Sequence, residues 1–139
     1  MPFSRLVYVS EATLAMNAEK LQTLAYRAAM KNSMLGIQGV LIYSAGNFIQ
    51  CLEGSRAVID PLYETIRVDP RHCQVKRVLS QQINTALFED WSMGLLDVDR
   101  MAPLNRNAVR DRIRTLVNLG CSPDSDTVCV AALKEFRKQ

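Results

Sequence analysis

The chain has one histidine, His72, and one tryptophan, Trp91, and its four cysteines show no C-x-x-C spacing. One imidazole with scattered thiols cannot complete a usual zinc set, so the common structural-zinc classes are excluded. Cys51, Cys73, Cys121 and Cys129 are read as reduced and mostly structural. His72 has no visible nucleophile partner, so no Cys/His or Ser/His catalysis is legible. Long apolar runs are missing too. None approaches the ~20 residues of a membrane span, and the opening MPFSRLVYVS lacks the basic and then apolar regions of a signal peptide. The expectation is a cytoplasmic protein with no membrane contact. Charge of one sign is scarce: 17 Lys+Arg against 14 Asp+Glu leave +3, dispersed along the chain, and nothing demands nucleic acid. The densest run, Arg110, Arg112 and Arg114, reads as a solvated helix face.

The apolar fraction that is present, 48%, suffices for one domain of ordinary size with its own core. Residues 4–10 alternate and are rich in β-formers, predicting a first strand. Asn17 stands where it can cap a helix in which Leu21, Leu24, Ala25 and Ala28 recur at helical spacing, with an end expected near Lys31 and Asn32. Residues 37–44 and 47–53 flank Ala45-Gly46, a two-residue connection whose glycine accepts positive φ, and so predict a hairpin. Ser55 opens a second helix with Val58, Ile59, Leu62, Tyr63 and Ile66 on its apolar side, stopped by Asp69-Pro70. Residues 75–80 and 91–98 supply two more strands. The order β-α-β-β-α-β-β predicts an α+β, ferredoxin-like sheet with two helices on one face.

After Pro103 the pattern changes. Residues 105–119 carry Val109, Ile113, Leu116 and Val117 at helical spacing and run into Gly120, a natural stop. Ser125 or Asp126 can cap a last helix bearing Cys129, Ala132, Leu133 and Phe136 on one side. These two C-terminal helices are expected to cover the sheet face that the first two leave bare, on the same subunit or a neighbour. The chain divides accordingly into residues 1–98 and an extension, 99–139, packing on the sheet.

Gln50 is the most telling single residue. Alternation along its strand puts Phe48, Gln50 and Leu52 on one face, and a carboxamide among apolar neighbours must find partners or cost about 1–3 kcal/mol. Tyr8 is its counterpart on the first strand. Trp91 and Met93, two residues apart in a predicted strand, are expected on one face. Taken singly, each has a bland reading: a strand tyrosine as core, Trp plus Met as packing, Asn32 as a helix C-cap, and Arg71-His72 as a turn with polar anchoring.

The set as a whole resembles BLUF domains, the sensors of blue light using FAD, over roughly residues 5–97. The resemblance rests on Tyr8 in the first strand, Asn32 after the first helix, G-I-x-G-V-L-x-Y-S from Gly36 to Ser44, and F-I-Q-C-L-E-G from Phe48 to Gly54. D-P-R-H from Asp69 to His72 and W-S-M from Trp91 to Met93 complete it. It implies a non-covalently bound FAD between the first two helices, with Leu24 and Ile66 on either side of the flavin ring. Asn32 would bond the ring's polar edge, where a carboxamide both donates and accepts. Tyr8 would give an electron coupled to a proton. Gln50, between phenol and flavin, would rearrange, and the Trp91 and Met93 pair beside it, one or the other facing the flavin edge in the dark, would pass the change to the last strand. Tyr8, Gln50, Arg71 and Met93 join the implied cofactor-binding set. Lys31 stands where many relatives carry a neutral or imidazole side chain, and either contacts a flavin carbonyl or phosphate or points to solvent. The resemblance implies a sensor, not an enzyme, acting through its own oligomer or a separate protein partner. The competing class is a ferredoxin-like regulatory or acylphosphatase-like domain that binds a small ligand without photochemistry.

Overall fold

The computed structural model describes residues 3–118 and 123–137. Strand β1 (Phe3–Ala12) leads into helix α1 (Ala18–Leu35), strands β2 (Gln38–Ser44) and β3 (Asn47–Ser55), and helix α2 (Arg56–Arg67). Strands β4 (His72–Gln82) and β5 (Gly94–Asp97), a short 3-10 turn and helices α3 (Pro103–Asn118) and α4 (Pro123–Arg137) follow. The sheet order is β4-β1-β3-β2-β5, with β5 parallel to β2 and the other pairs antiparallel. This is the split β-α-β arrangement of a ferredoxin-like sheet, extended by one edge strand.

Local chemistry sets the joints. Asn17 accepts from the Lys20 N–H at 2.8 Å and starts α1. That helix ends on Gly36 at φ 69°, with the Ile37 and Gly36 N–H groups reaching the Asn32 and Ser33 carbonyls, a Schellman stop. The β2–β3 hairpin turns on Ala45 and Gly46, both at positive φ, as a two-residue loop of matching twist requires.

Alternation then sorts the sheet. Leu6, Tyr8, Leu41, Phe48 and Leu52 pack with Leu21, Ala25, Ile59 and Leu62 of α1 and α2. Val7, Val9, Ile42, Ile49 and Cys51 pack with Val109, Ile113 and Leu116 of α3 and Cys129, Leu133 and Phe136 of α4. The far face of the sheet is thus covered by the chain's own tail. The Arg run lies on α3, where Arg110 pairs with Asp99 at 2.9 Å, Arg112 with Glu135 at 3.7 Å and Arg114 with Asp111 at 3.5 Å.

Four expectations are corrected. Helix α1 continues a turn past Asn32, so Asn32 lies inside the helix rather than at its cap. The last strand starts at Gly94, leaving Trp91 and Met93 in the bend before it. These two do not share a face: Trp91 packs on the α3–α4 side and Met93 on the α1–α2 side. The reason is local folding that a period-two reading cannot contain. The Trp91 N–H turns back to the Phe88 carbonyl, and the indole lies so close over Gly94 that a Cβ there would meet Cε3 at 2.3 Å. Finally, α4 opens at Pro123, which suits the first helical position because it has no N–H to leave unpaired, and Ser125 and Asp126 fall within the helix. Gly120, Cys121 and the side chain of Val117 lie outside the described residues.

Candidate functional site

Between α1, α2 and the sheet lies a cavity of about 270 Å³, near the lower end of small-molecule sites. Helix α1 contributes Leu24, Ala28 and Asn32, and α2 contributes Leu62 and Ile66 on the opposite wall. Tyr8, Leu41, Phe48, Gln50 and Leu52 line it from the sheet. Leu24 and Ile66 come from different helices, so the space is bounded by apolar surface on both flanks and by polar groups at the floor and edge.

The floor is one hydrogen-bonded unit. Tyr8 and Gln50 are direct cross-strand partners in the β1–β3 register, and the Tyr8 hydroxyl donates to Gln50 Oε1. Gln50 Nε2 in turn donates to Met93 Sδ at 3.5 Å. All three side chains are buried, so each bond is made where a lost partner would be costly. Burial, and after it the nearby Tyr63, push the Tyr8 phenol well above its ordinary pKa. It therefore holds its proton for donation to Gln50 throughout the neutral range.

Asn32 is 3% exposed, lines the cavity, and has no side-chain hydrogen bond among the described residues. A carboxamide that lines a cavity can both donate to and accept from a molecule in it. His72 closes the site beside Tyr8, their ring centroids 5.9 Å apart. Its Nε2 donates to the Ile66 carbonyl at 2.6 Å, and in the neutral ring Nδ1 accepts from the Ser10 hydroxyl at 2.8 Å. His72 thereby ties the end of α2 to β1 and supports Ile66 in the wall. At the mouth, Arg71 donates through its side chain and backbone to Asp69, which holds the Asp69 carboxyl down at about 2. Lys31 also lines the cavity, as does Arg27 one turn before it.

Of the residues singled out from sequence, Tyr8, Leu24, Lys31, Asn32, Gln50, Ile66 and Arg71 are brought together in this lining, and Met93 touches it through Gln50. Trp91 is not brought in. Its ring lies 5.5 Å from Phe88 on the other side of the sheet. Sequence reasoning missed Arg27, Phe48, Leu41, Leu62 and the supporting role of His72. Signals for two of them were present: Phe48 shares the Gln50 face by alternation, and Arg27 stands one turn from Lys31.

The family model for BLUF, sensors of blue-light using FAD, matches residues 3–94. A photoactivated adenylate cyclase subunit beta of Euglena longa is 36% identical over 89 residues, which is 63% of this chain and 10% of that protein. The blue light- and temperature-regulated antirepressor BluF of Escherichia coli (strain K12) is 26% identical over 93 residues, 67% of this chain and 23% of that protein. The chain thus spans about a tenth of the length of the cyclase it matches. Among solved structures, BlsA in its photo-activated state superposes with a TM-score of 0.77 at 28% identity, covering 99% of this chain and 96% of that one. The dark-state structure of BlrB, a BLUF protein, gives 0.68 at 29% identity, covering 77% and 83%.

Proposed function

The chain belongs to the BLUF family, the sensors of blue light using FAD, and on that premise we propose that residues 1–98 form the light-sensing unit and that the cavity between α1 and α2 holds the flavin. The residues fit that group. Leu24 and Ile66 offer apolar walls to a planar ring, and the buried Asn32 carboxamide offers a donor and an acceptor to its polar edge. Arg27 and Lys31 supply positive charge to the lining for the anionic part of the cofactor, and the Arg71 guanidinium, balanced by Asp69, adds donors beside them. When bound, the flavin absorbs the blue photon and supplies the electron acceptor.

The observation that carries the reading is the buried relay Tyr8–Gln50–Met93. Tyr8 can release its electron with a proton because its hydroxyl already points that proton at Gln50 Oε1. A change at Oε1 alters the donor and acceptor demands of the whole carboxamide. Met93 Sδ, on Nε2 of that amide, is the polypeptide group placed to feel it, and Met93 leads directly into β5. Strand β5 pairs with β2 at the sheet edge, so its free side and the α3–α4 layer are where the change would leave the domain. These residues transform no substrate; the output is contact, through a second copy of the chain or a separate protein in the cytoplasm.

The test is spectroscopic. Protein incubated with FAD should be yellow, and blue light should shift its absorption slightly red, reversibly in the dark. Tyr8→Phe keeps ring size and packing but removes the hydroxyl, so it should bind flavin and show no shift. A normal reversible shift in that variant would remove Tyr8 from the mechanism. Protein that stays colourless with FAD would overturn the proposal.

A further inference from the structure

Glu53 is fully buried, on the side of β3 opposite Gln50, and Arg5 beside it is 3% exposed. The two are register partners across β1 and β3, as Tyr8 and Gln50 are three residues away. Arg5 donates to Glu53 Oε2 from Nε at 2.9 Å and Nη2 at 2.7 Å. The same carboxylate accepts the backbone N–H of Leu87 at 2.9 Å and of Phe88 at 2.8 Å, and Arg5 reaches the Thr85 carbonyl at 3.2 Å. The pair therefore clamps the backbone of the segment that joins β4 to β5.

From that clamp the segment is fixed step by step to the site. Phe88 is fully buried, its carbonyl takes the Trp91 N–H at 2.9 Å, and the Trp91 carbonyl takes the Gly39 N–H at 2.9 Å. Two residues on, Met93 meets Gln50. Strand β3 thus holds the segment at both ends, through Glu53 on one face and Gln50 on the other. A buried ion pair is a poor source of stability, since an apolar pair of equal volume often does as well. What an apolar pair could not do is accept two backbone N–H groups.

We propose that Glu53, with Arg5, is a positioning residue for the photoresponse: it holds residues 85–88 so that Met93 stays against Gln50 and Trp91 stays on the far face. This rests on the reading of the cavity as a flavin site. Two double variants separate positioning from general stability. Arg5→Met with Glu53→Leu removes the ion pair and the acceptor; Arg5→Met with Glu53→Gln removes the ion pair but keeps an oxygen toward the Leu87 and Phe88 N–H groups. Neither strands a buried charge.

Trp91 is the chain's single tryptophan, so its emission reports the segment without any flavin. In apo-protein, the Met/Leu pair should give red-shifted emission more strongly quenched by acrylamide, and the Met/Gln pair should match the wild type. In flavin-loaded protein, dark recovery should change by about tenfold in the Met/Leu pair and little in the Met/Gln pair, the scale of one buried hydrogen bond. In a Met93→Ala background the two pairs should recover alike. Equal Trp91 emission in the two pairs, or a recovery difference that survives Met93→Ala, would overturn the proposal. A wild type with no light shift would overturn it along with the reading beneath it. That failure is distinguishable from loss of the anchor, because the Trp91 comparison needs no flavin.

Discussion

On β1, Val7 and Val9 face α3 and α4 while Leu6 and Tyr8 face α1 and α2; on β3, Ile49 and Cys51 oppose Phe48, Gln50 and Leu52 in the same way. The far face is closed largely by apolar side chains meeting apolar side chains, with the buried Arg5–Glu53 pair among them. The Cys51 thiol there is inert, since burial pushes its pKa well up. The near face is left open around a cavity, and polar side chains, the bonded pair Tyr8 and Gln50 among them, line it. Because successive residues of one strand serve both faces, any shift of backbone at Gln50 is transmitted to a close-packed layer that resists it. A tight layer behind a loose site is an arrangement in which a small hydrogen-bond change can become a displacement of a strand.

Breaking the near face should have the largest effect on signalling and little on folding. Gln50→Leu should bind flavin, because Asn32 and the helix walls remain, and lose the light shift completely; a normal shift in this variant would contradict the relay. Breaking the far face should do the reverse. Leu133 is fully buried between α4 and the sheet, so Leu133→Ala should cost about 2–5 kcal/mol in denaturant unfolding while the light shift persists in the folded fraction. If the shift disappears with full flavin occupancy, the two faces are not separable as described. Removing residues 105–139 altogether should expose that apolar face and lower solubility or change assembly mass by light scattering, with the flavin spectrum retained.

Smaller effects sharpen the contrast at the cavity mouth. The Asp69 carboxyl is depressed to about 2 by Arg71, so its contribution to stability is present above the ordinary carboxylate pKa near 4 and is lost as pH falls from about 4 to about 2. Melting temperatures across that window should fall less steeply in Asp69→Asn than in the wild type, by a modest amount for a half-solvated pair. Identical profiles would show that the Asp69–Arg71 pair does not couple to folding. The smallest change belongs to the far face: Asp99→Asn weakens a partly exposed pair with Arg110 and should cost about 0.2–1 kcal/mol, read from the denaturation midpoint.

The alternation of β1 and β3, with the Gln50 carboxamide on an apolar face, the apolar stripes of the helices and the Ala45-Gly46 turn were legible in the sequence, because each depends on neighbours within a few positions, whereas Tyr8 and Asn32 were singled out only by the resemblance of the whole set. Periods of 2 and 3.6 and the glycine at a positive-φ turn need no knowledge of the rest of the chain. The tertiary structure decided what lies between elements. It separated Trp91 from Met93, because Glu53 fixes Leu87 and Phe88, 34 and 35 positions after it in the chain, and the Trp91 ring then folds over Gly94. It made His72 a brace between Ser10 and Ile66, and it set Arg27 and Phe48 on the cavity. Contacts at such separations carry no periodic trace, since they are chosen only when the strands pair and the bend between β4 and β5 must satisfy its buried N–H groups.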